Sequence, residues 1–236
     1  MTITIREHHA MWQQFQGALA YMGRKAPIVR RALPPALDVA LISMFDSRIV
    51  PQEPDRKYLT GVIFPSLLPL ESGRILFVGC RSYTKPYEAV FQDSEYWTLE
   101  IDQIHAKWGA RHHKTGDVRN ADELFAPGYF DLVFLNGVLG FGVNADHDQD
   151  LTFAALRRVM RPGGVLVLGW NKGRCSDPLT RSALGDGFRH QELCGMPARK
   201  EFPDSTHIYD LFRAIGGGPV MDERQQETSA APALPR

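Results

Sequence analysis

The opening hydrophobic pattern is helical. Between residues 7 and 22, Met11, Trp12, Phe15, Leu19 and Met22 recur at three- and four-residue steps, and Gly23 follows as a stop signal. A second stripe, Leu37, Leu41, Ile42 and Phe45, predicts a helix over 35–45, after which Pro51 and Pro54 interrupt the chain. The stretch through Leu70 is apolar but broken by Pro65 and Pro69. Residues 1–70 therefore read as an N-terminal helical cap.

From Arg74 the pattern changes to strands alternating with helices. Short continuous apolar runs predict buried strands over 75–78, 96–99, 130–135 and 165–170, with a shorter one over 113–115. Helical spacing predicts helices over about 84–92, 103–108 and 150–160, the last with Leu151, Ala154, Ala155 and Val159 inward. Arg161-Pro162-Gly163-Gly164 stops that helix, and late strands are expected over 206–215 and, less clearly, 198–202. Such alternation argues for an α/β domain over 71–215 with a doubly wound, mostly parallel sheet covered on both faces. Residues 216–236 are rich in Gly, Gln, Glu, Ser, Ala and Pro and read as a disordered tail.

Composition narrows the function classes. Basic and acidic residues balance at 27 each, so no global field draws the chain toward nucleic acid or an anionic membrane. No apolar run is long enough to span a bilayer, and the first residues lack the layout of a signal peptide. Cys80, Cys175 and Cys194 are odd in number and widely spaced, which fits a reducing cytoplasm and no structural metal.

Four pieces carry chemistry. Ile75-Leu76-Phe77-Val78-Gly79-Cys80 is a strand ending in a glycine turn. Leu99-Glu100-Ile101-Asp102 is a strand with an acidic end, and Gly116-Asp117-Val118 is a turn after the next strand. The fourth piece runs from Phe130 to Asn136 and continues, after a glycine-rich loop and a helix, into Arg161-Pro162-Gly163-Gly164. In this order and spacing, residues 74–172 resemble the class I S-adenosylmethionine-dependent methyltransferases. The resemblance implies a Rossmann-like, seven-stranded sheet with a reversed last strand, and S-adenosylmethionine as cofactor. Gly79 would let the backbone pass close to it. The helix opening near Thr84 would aim free N–H groups at its carboxylate. Glu100 would accept from the ribose hydroxyls. Ile101 would pack on the adenine, Asp117 would take the adenine amine, and Val118 would lend its backbone N–H. Asn136 would lie near the methyl group.

One departure stands out. Arg81 and Tyr83 occupy the positions where the family has its second and third glycines. The Arg81 fork suits a bidentate grip on the cofactor carboxylate, with Tyr83 walling the methionine end.

The expected reaction is methyl transfer to an oxygen or nitrogen of a small molecule. A sulfonium already leaves readily, so the protein need only align the reactants and exclude water. His147 as base and Asn171 as a substrate-orienting residue are the catalytic candidates. Arg174, Arg181, Arg189 and His190 are candidates to meet an anionic acceptor. The expected partner is a small-molecule acceptor, with no nucleic acid and no membrane, and the chain is a candidate homodimer. Two rivals remain: an inactive scaffold on the same fold, and an enzyme using the site for another reaction.

Overall fold

The computed structural model describes residues 53–67 and 73–216. The helices expected over 7–22 and 35–45, most of the cap and the tail lie outside the described residues. Helix α1 (Pro54–Tyr58) opens on proline at its first position, where the missing N–H costs nothing. Pro54, read from the sequence as an interruption, is therefore a helix start. A π-turn, Leu59–Ile63, leads into α2 (Phe64–Leu67). Phe64 donates its N–H to the Leu59 carbonyl across that widened turn, which is how Pro65 is accommodated without breaking the run.

The domain proper alternates as expected. It runs β1 (Arg74–Val78), α3 (Tyr87–Val90), β2 (Glu95–Glu100), α4 (Gln103–Ala106), β3 (His112–Thr115) and α5 (Ala121–Leu124). It continues with β4 (Phe130–Asn136), α6 (Asp146–Val159), β5 (Met160–Asn171) and α7 (Ser182–Gly187). Three strands close it: β6 (Phe188–His190), β7 (Arg199–Phe202) and β8 (Ser205–Ala214).

The sheet order is β3-β2-β1-β4-β5-β8-β6, with β7 also paired to β8. The first five strands are parallel, and β8 is antiparallel to β5. Eight strands replace the expected seven because β6 and β7 pair with successive stretches of β8. The three-residue β6 was missed because Phe188-Arg189-His190 is too short and too polar to show a period. Pairing between β4 and β5 slips from Phe130↔Met160 to Leu132↔Val165, and the Pro162-Gly163-Gly164 segment takes up the extra residues.

Both faces of the sheet are buried. One packs Leu76, Val133, Leu135, Leu166 and Leu168 against α6, whose Phe153, Leu156 and Val159 are fully buried. The other packs Phe77, Phe134, Val167 and Tyr209 against Leu59, Ile63 and Phe64 of the 54–67 helical run. Phe64 anchors that run, meeting Tyr87, Phe91 and Phe134 edge-on at ring separations of 4.9–5.2 Å.

Candidate active site

The strand order reverses between β1 and β4, and a crevice opens there at the carboxyl ends of the parallel strands. It is a cavity of about 340 Å³, within the usual range of roughly 300–1,000 Å³ for small-molecule sites. Gly79 ends β1 and holds φ at +90°, a conformation that disfavours a side chain. Across the crevice, Gly140 in the loop after β4 has no room for a side chain, since a Cβ there would lie 2.6 Å from Arg174 Cβ.

Glu100 ends β2 and is buried. Its Oε2 accepts from the Cys80 backbone N–H at 2.6 Å and from Arg81 at 3.3 Å, and its Oε1 accepts from the Asp102 N–H at 2.9 Å. A carboxylate offers about four acceptor sites, so capacity is left toward the cavity. Arg81 also donates to the Cys80 carbonyl at 2.6 Å. Its guanidinium therefore rests on Glu100 and the glycine turn. Asp102 caps α4 through the Ile104 N–H, the structural role.

The first turn differs from expectation. Residues Ser82–Thr84 form a 3₁₀ turn in which the Thr84 N–H bonds the Arg81 carbonyl at 3.0 Å and the Lys85 N–H bonds Ser82 at 3.3 Å. The following helix, α3, has four residues. The N–H groups of Arg81, Thr84 and Lys85 are taken up inside the turn, so the expected helix opening near Thr84 is replaced by a 3₁₀ turn that starts at Ser82.

Asp117, after β3, caps its own turn through the Arg119 N–H and pairs with the Arg119 guanidinium, which also reaches Asp148 at 2.7 Å. The Arg119 hydrogen bond holds the Asp117 carboxyl below the usual carboxylate range.

At the β4 and β5 ends, Asn136 stands beside Gly169 and Tyr209 in one row of the sheet. The Asn136 side chain is buried, and neither its amide nitrogen nor its oxygen has a hydrogen-bond partner. Two residues along, Asn171 donates to Thr206 Oγ1 at 3.0 Å and accepts from His207 Nδ1 at 3.1 Å. That fixes the proton on Nδ1 and leaves His207 Nε2 as a buried, unpartnered lone pair. Burial, with Arg56 adding to it, lowers His207 to about 3.

The His207 shift makes a pH prediction. Its unfolded pKa is about 6.5, so the unfolded chain takes up the proton first as pH falls. The associated stability is complete above about pH 6.5 and drains toward about pH 3. Between pH 6.5 and 5 this one group should cost about 2 kcal/mol of stability. Urea unfolding of His207→Asn should show a flatter loss over that interval than the wild type. Equal pH slopes would remove the buried histidine as the cause.

Comparison with known proteins agrees with this geometry. A family model described as a methyltransferase domain matches residues 76–168. Residues 76–168 thus match a methyltransferase domain, and the strand order around the crevice is the one such a domain needs. No curated protein matches the chain. Among solved structures, a TehB-like S-adenosylmethionine-dependent methyltransferase from Corynebacterium glutamicum is similar at 17% identity and a TM-score of 0.51, covering 74% of this chain and 98% of that one. The N-methyltransferase NodS from Bradyrhizobium japonicum, in complex with S-adenosyl-L-homocysteine, is similar at 13% identity and a TM-score of 0.54, covering 70% of this chain and 90% of that one. At these identities the likeness is one of fold.

The cavity gathers Gly79, Arg81, Tyr83, Glu100 and Ile101 with Asp117, Val118, Asn136 and Asn171. His147 is not among the lining residues. It is exposed in the first turn of α6, which begins at Asp146 rather than near 150 because the acidic residues expected as a loop form that turn. None of the four basic residues expected to meet an anion lines the cavity; Arg189 is exposed on β6, and the other three are engaged. Arg181 pairs with Asp146 and Asp150, His190 with Asp210 at 3.0 Å, and Arg174 lies over the Phe141 ring at 5.0 Å. Among the lining residues that sequence reasoning missed is Arg56 on α1. Nothing local marks it, since it joins the crevice only through tertiary packing.

Proposed function

We propose that this methyltransferase domain moves a methyl group from S-adenosylmethionine to an oxygen or nitrogen of a small molecule. The carrying observation is the convergence of nine residues, singled out by their place in the sequence pattern, on one cavity at the switch point. The residues fit the cofactor: a positive-φ glycine at the first turn, a buried carboxylate at the end of β2, and an unpartnered buried amide at the end of β4. Bound there, the cofactor supplies an activated methyl group on a sulfonium.

Glu100 accepts from the ribose hydroxyls, Ile101 covers the adenine, and Asp117 with Val118 reads the adenine edge. Gly79 gives close backbone approach. Arg81 holds the amino-acid carboxylate, because the 3₁₀ turn and the four-residue α3 offer only a short helix terminus for it. Asn136 and Asn171 orient the acceptor, Asn171 by fixing His207. None of the cavity side chains is tuned as a strong base. The nearby Cys80 thiol is pushed up to about 11 by burial, and His207 is held neutral. An acceptor atom that is already nucleophilic at neutral pH suits this site.

The test is calorimetric. S-adenosylhomocysteine should bind the full chain, and Arg81→Ala should weaken it about tenfold, the scale of a lost charge-assisted contact. Freeing Glu100 from a half-exposed ion pair returns less than that. 5′-Methylthioadenosine, which lacks the amino-acid end, should bind Arg81→Ala as it binds the wild type. No binding of S-adenosylhomocysteine at millimolar concentration would instead favour a scaffold on this fold.

A further inference from the structure

Arg56 and the buried hydroxyls of Tyr87 and Tyr209 are not used by the cofactor assignment, and the Asn136 amide has capacity beyond it. Helix α1 is seated on β8: Ser205 Oγ donates to Asp55 at 3.4 Å, and the Tyr58 ring stacks on Tyr209 at 6.4 Å. That places Arg56 in the cavity wall, with its side chain largely buried. Its contacts with Asp55 and Tyr83 are long, and the Tyr87 hydroxyl lies beside it. Nε lies 3.6 Å from Asp55, Nη2 lies 3.5 Å from the Tyr83 hydroxyl, and the guanidinium stands 5.0 Å over the Tyr83 ring. A buried guanidinium without a short acceptor is a prepared anion fork.

The neighbours point the same way. The Tyr87 hydroxyl lies within reach of Arg56 and the Tyr209 hydroxyl within reach of Asn136, but none of these buried groups makes a well-aligned hydrogen bond. Asn136 is 8% exposed and lines the same cavity. Orphaned buried polar groups are costly to keep, and several around one cation call for a ligand that satisfies them.

The cofactor does not reach the whole cluster. Tyr209 stands on β8, four strands from Glu100 on β2, a separation of about 19 Å at the usual interstrand spacing. The amino-acid carboxylate lies five bonds beyond the ribose carbon, about 6 Å in extended form. We propose that Arg56 and Asn136, which line the cavity, with Tyr87 and Tyr209 packed behind them, form the acceptor subsite and anchor a carboxylate carried by the methyl acceptor. This rests on the methyltransferase reading above and names its substrate class.

The probe set is benzoate, 4-hydroxybenzoate and hexanoate, each against its neutral amide. Binding is measured by calorimetry and ligand-observed NMR on the full chain saturated with S-adenosylhomocysteine. At least one carboxylate should bind at least tenfold more tightly than its amide. Arg56→Gln should abolish that preference while changing S-adenosylhomocysteine affinity less than threefold. Asn136→Asp, which sets a like charge against the anion, should weaken the carboxylate at least tenfold and keeps the proposal testable if Arg56→Gln does not fold. Wild type that binds S-adenosylhomocysteine but no carboxylate in preference to its amide overturns the subsite and leaves the cofactor reading standing. The subsite also falls if Arg56→Gln weakens S-adenosylhomocysteine but not 5′-methylthioadenosine, since Arg56 then serves the cofactor's own carboxylate. Wild type that does not bind S-adenosylhomocysteine overturns both.

Discussion

Glu100→Gln should lower the affinity for S-adenosylhomocysteine about a hundredfold, the equivalent of two charge-assisted hydrogen bonds at roughly 1.5 kcal/mol each. The substitution is nearly isosteric, so the fold persists, but the chemistry at the site inverts. Glu100 is surrounded by donors: the Cys80 N–H at 2.6 Å, the Asp102 N–H at 2.9 Å and the Arg81 guanidinium at 3.3 Å. An ionised carboxylate accepts from all of them and still turns lone pairs to the cavity. A glutamine has one acceptor oxygen and must point its NH₂ at another donor or at the ribose. Either choice removes an acceptor from the sugar. Methylthioadenosine should lose affinity by the same factor, because the effect lies at the ribose and not at the amino-acid end. Calorimetry with both ligands reads this directly. A loss under threefold for both would place the ribose elsewhere.

That prediction rests on a residue the sequence announced, and the contrast with Arg56 shows why some of the site was legible. Glu100, Gly79, Asp117, Asn136 and Asn171 all terminate or follow parallel strands, so the strand pattern alone brings them to one edge of the sheet. A buried parallel strand writes itself as a continuous apolar run, and its end is where the run stops. Arg56, His207 and Tyr209 carry no such mark. Arg56 sits in a short polar helix, and its place over the crevice comes from the Phe64 ring cluster and the Tyr58–Tyr209 stack. His207 and Tyr209 look like ordinary alternating positions on a late strand. Their role arises from antiparallel pairing, which sets His207 opposite Asn171 and Tyr209 opposite Gly169. Gly169 is what admits them: a Cβ there would lie 2.9 Å from His207 Nε2 and closer still to the Asn136 oxygen. The helix start at Asp146 and the 3₁₀ turn after Arg81 were unreadable for another reason. Acidic first turns and 3₁₀ turns share their residue types with plain loops.

Asp210→Ala should cost about 3–5 kcal/mol of stability, the scale for breaking a buried ion pair from one side. Asp210 is 0% exposed, and its carboxylate collects Trp170 Nε1 at 2.9 Å, Arg199 at 2.7 and 2.9 Å, and His190 Nε2 at 3.0 Å. Removing it leaves the indole N–H buried and unpaired and strips Arg199 of one of its two carboxylates, the other being Asp177 at 2.7 Å. Those groups come from β5, β6, β7 and β8, so one side chain ties the antiparallel strands to the parallel sheet. For a chain of this size each kcal/mol moves Tm by about 2–4 °C, and thermal unfolding should therefore shift down by roughly 10 °C. Amide exchange should quicken first in β6 and β7, which rely on β8 for all their pairing. Asp210→Asn should lose most of the same stability, because an amide cannot accept from three directions while presenting its own donors to Arg199. A shift below about 3 °C for Asp210→Ala would mean that packing, not this carboxylate, holds β8 in register. The consequence for chemistry follows from the next residue. Tyr209 is fixed on the opposite face of β8, so loosening Asp210 should also loosen the wall that faces the acceptor.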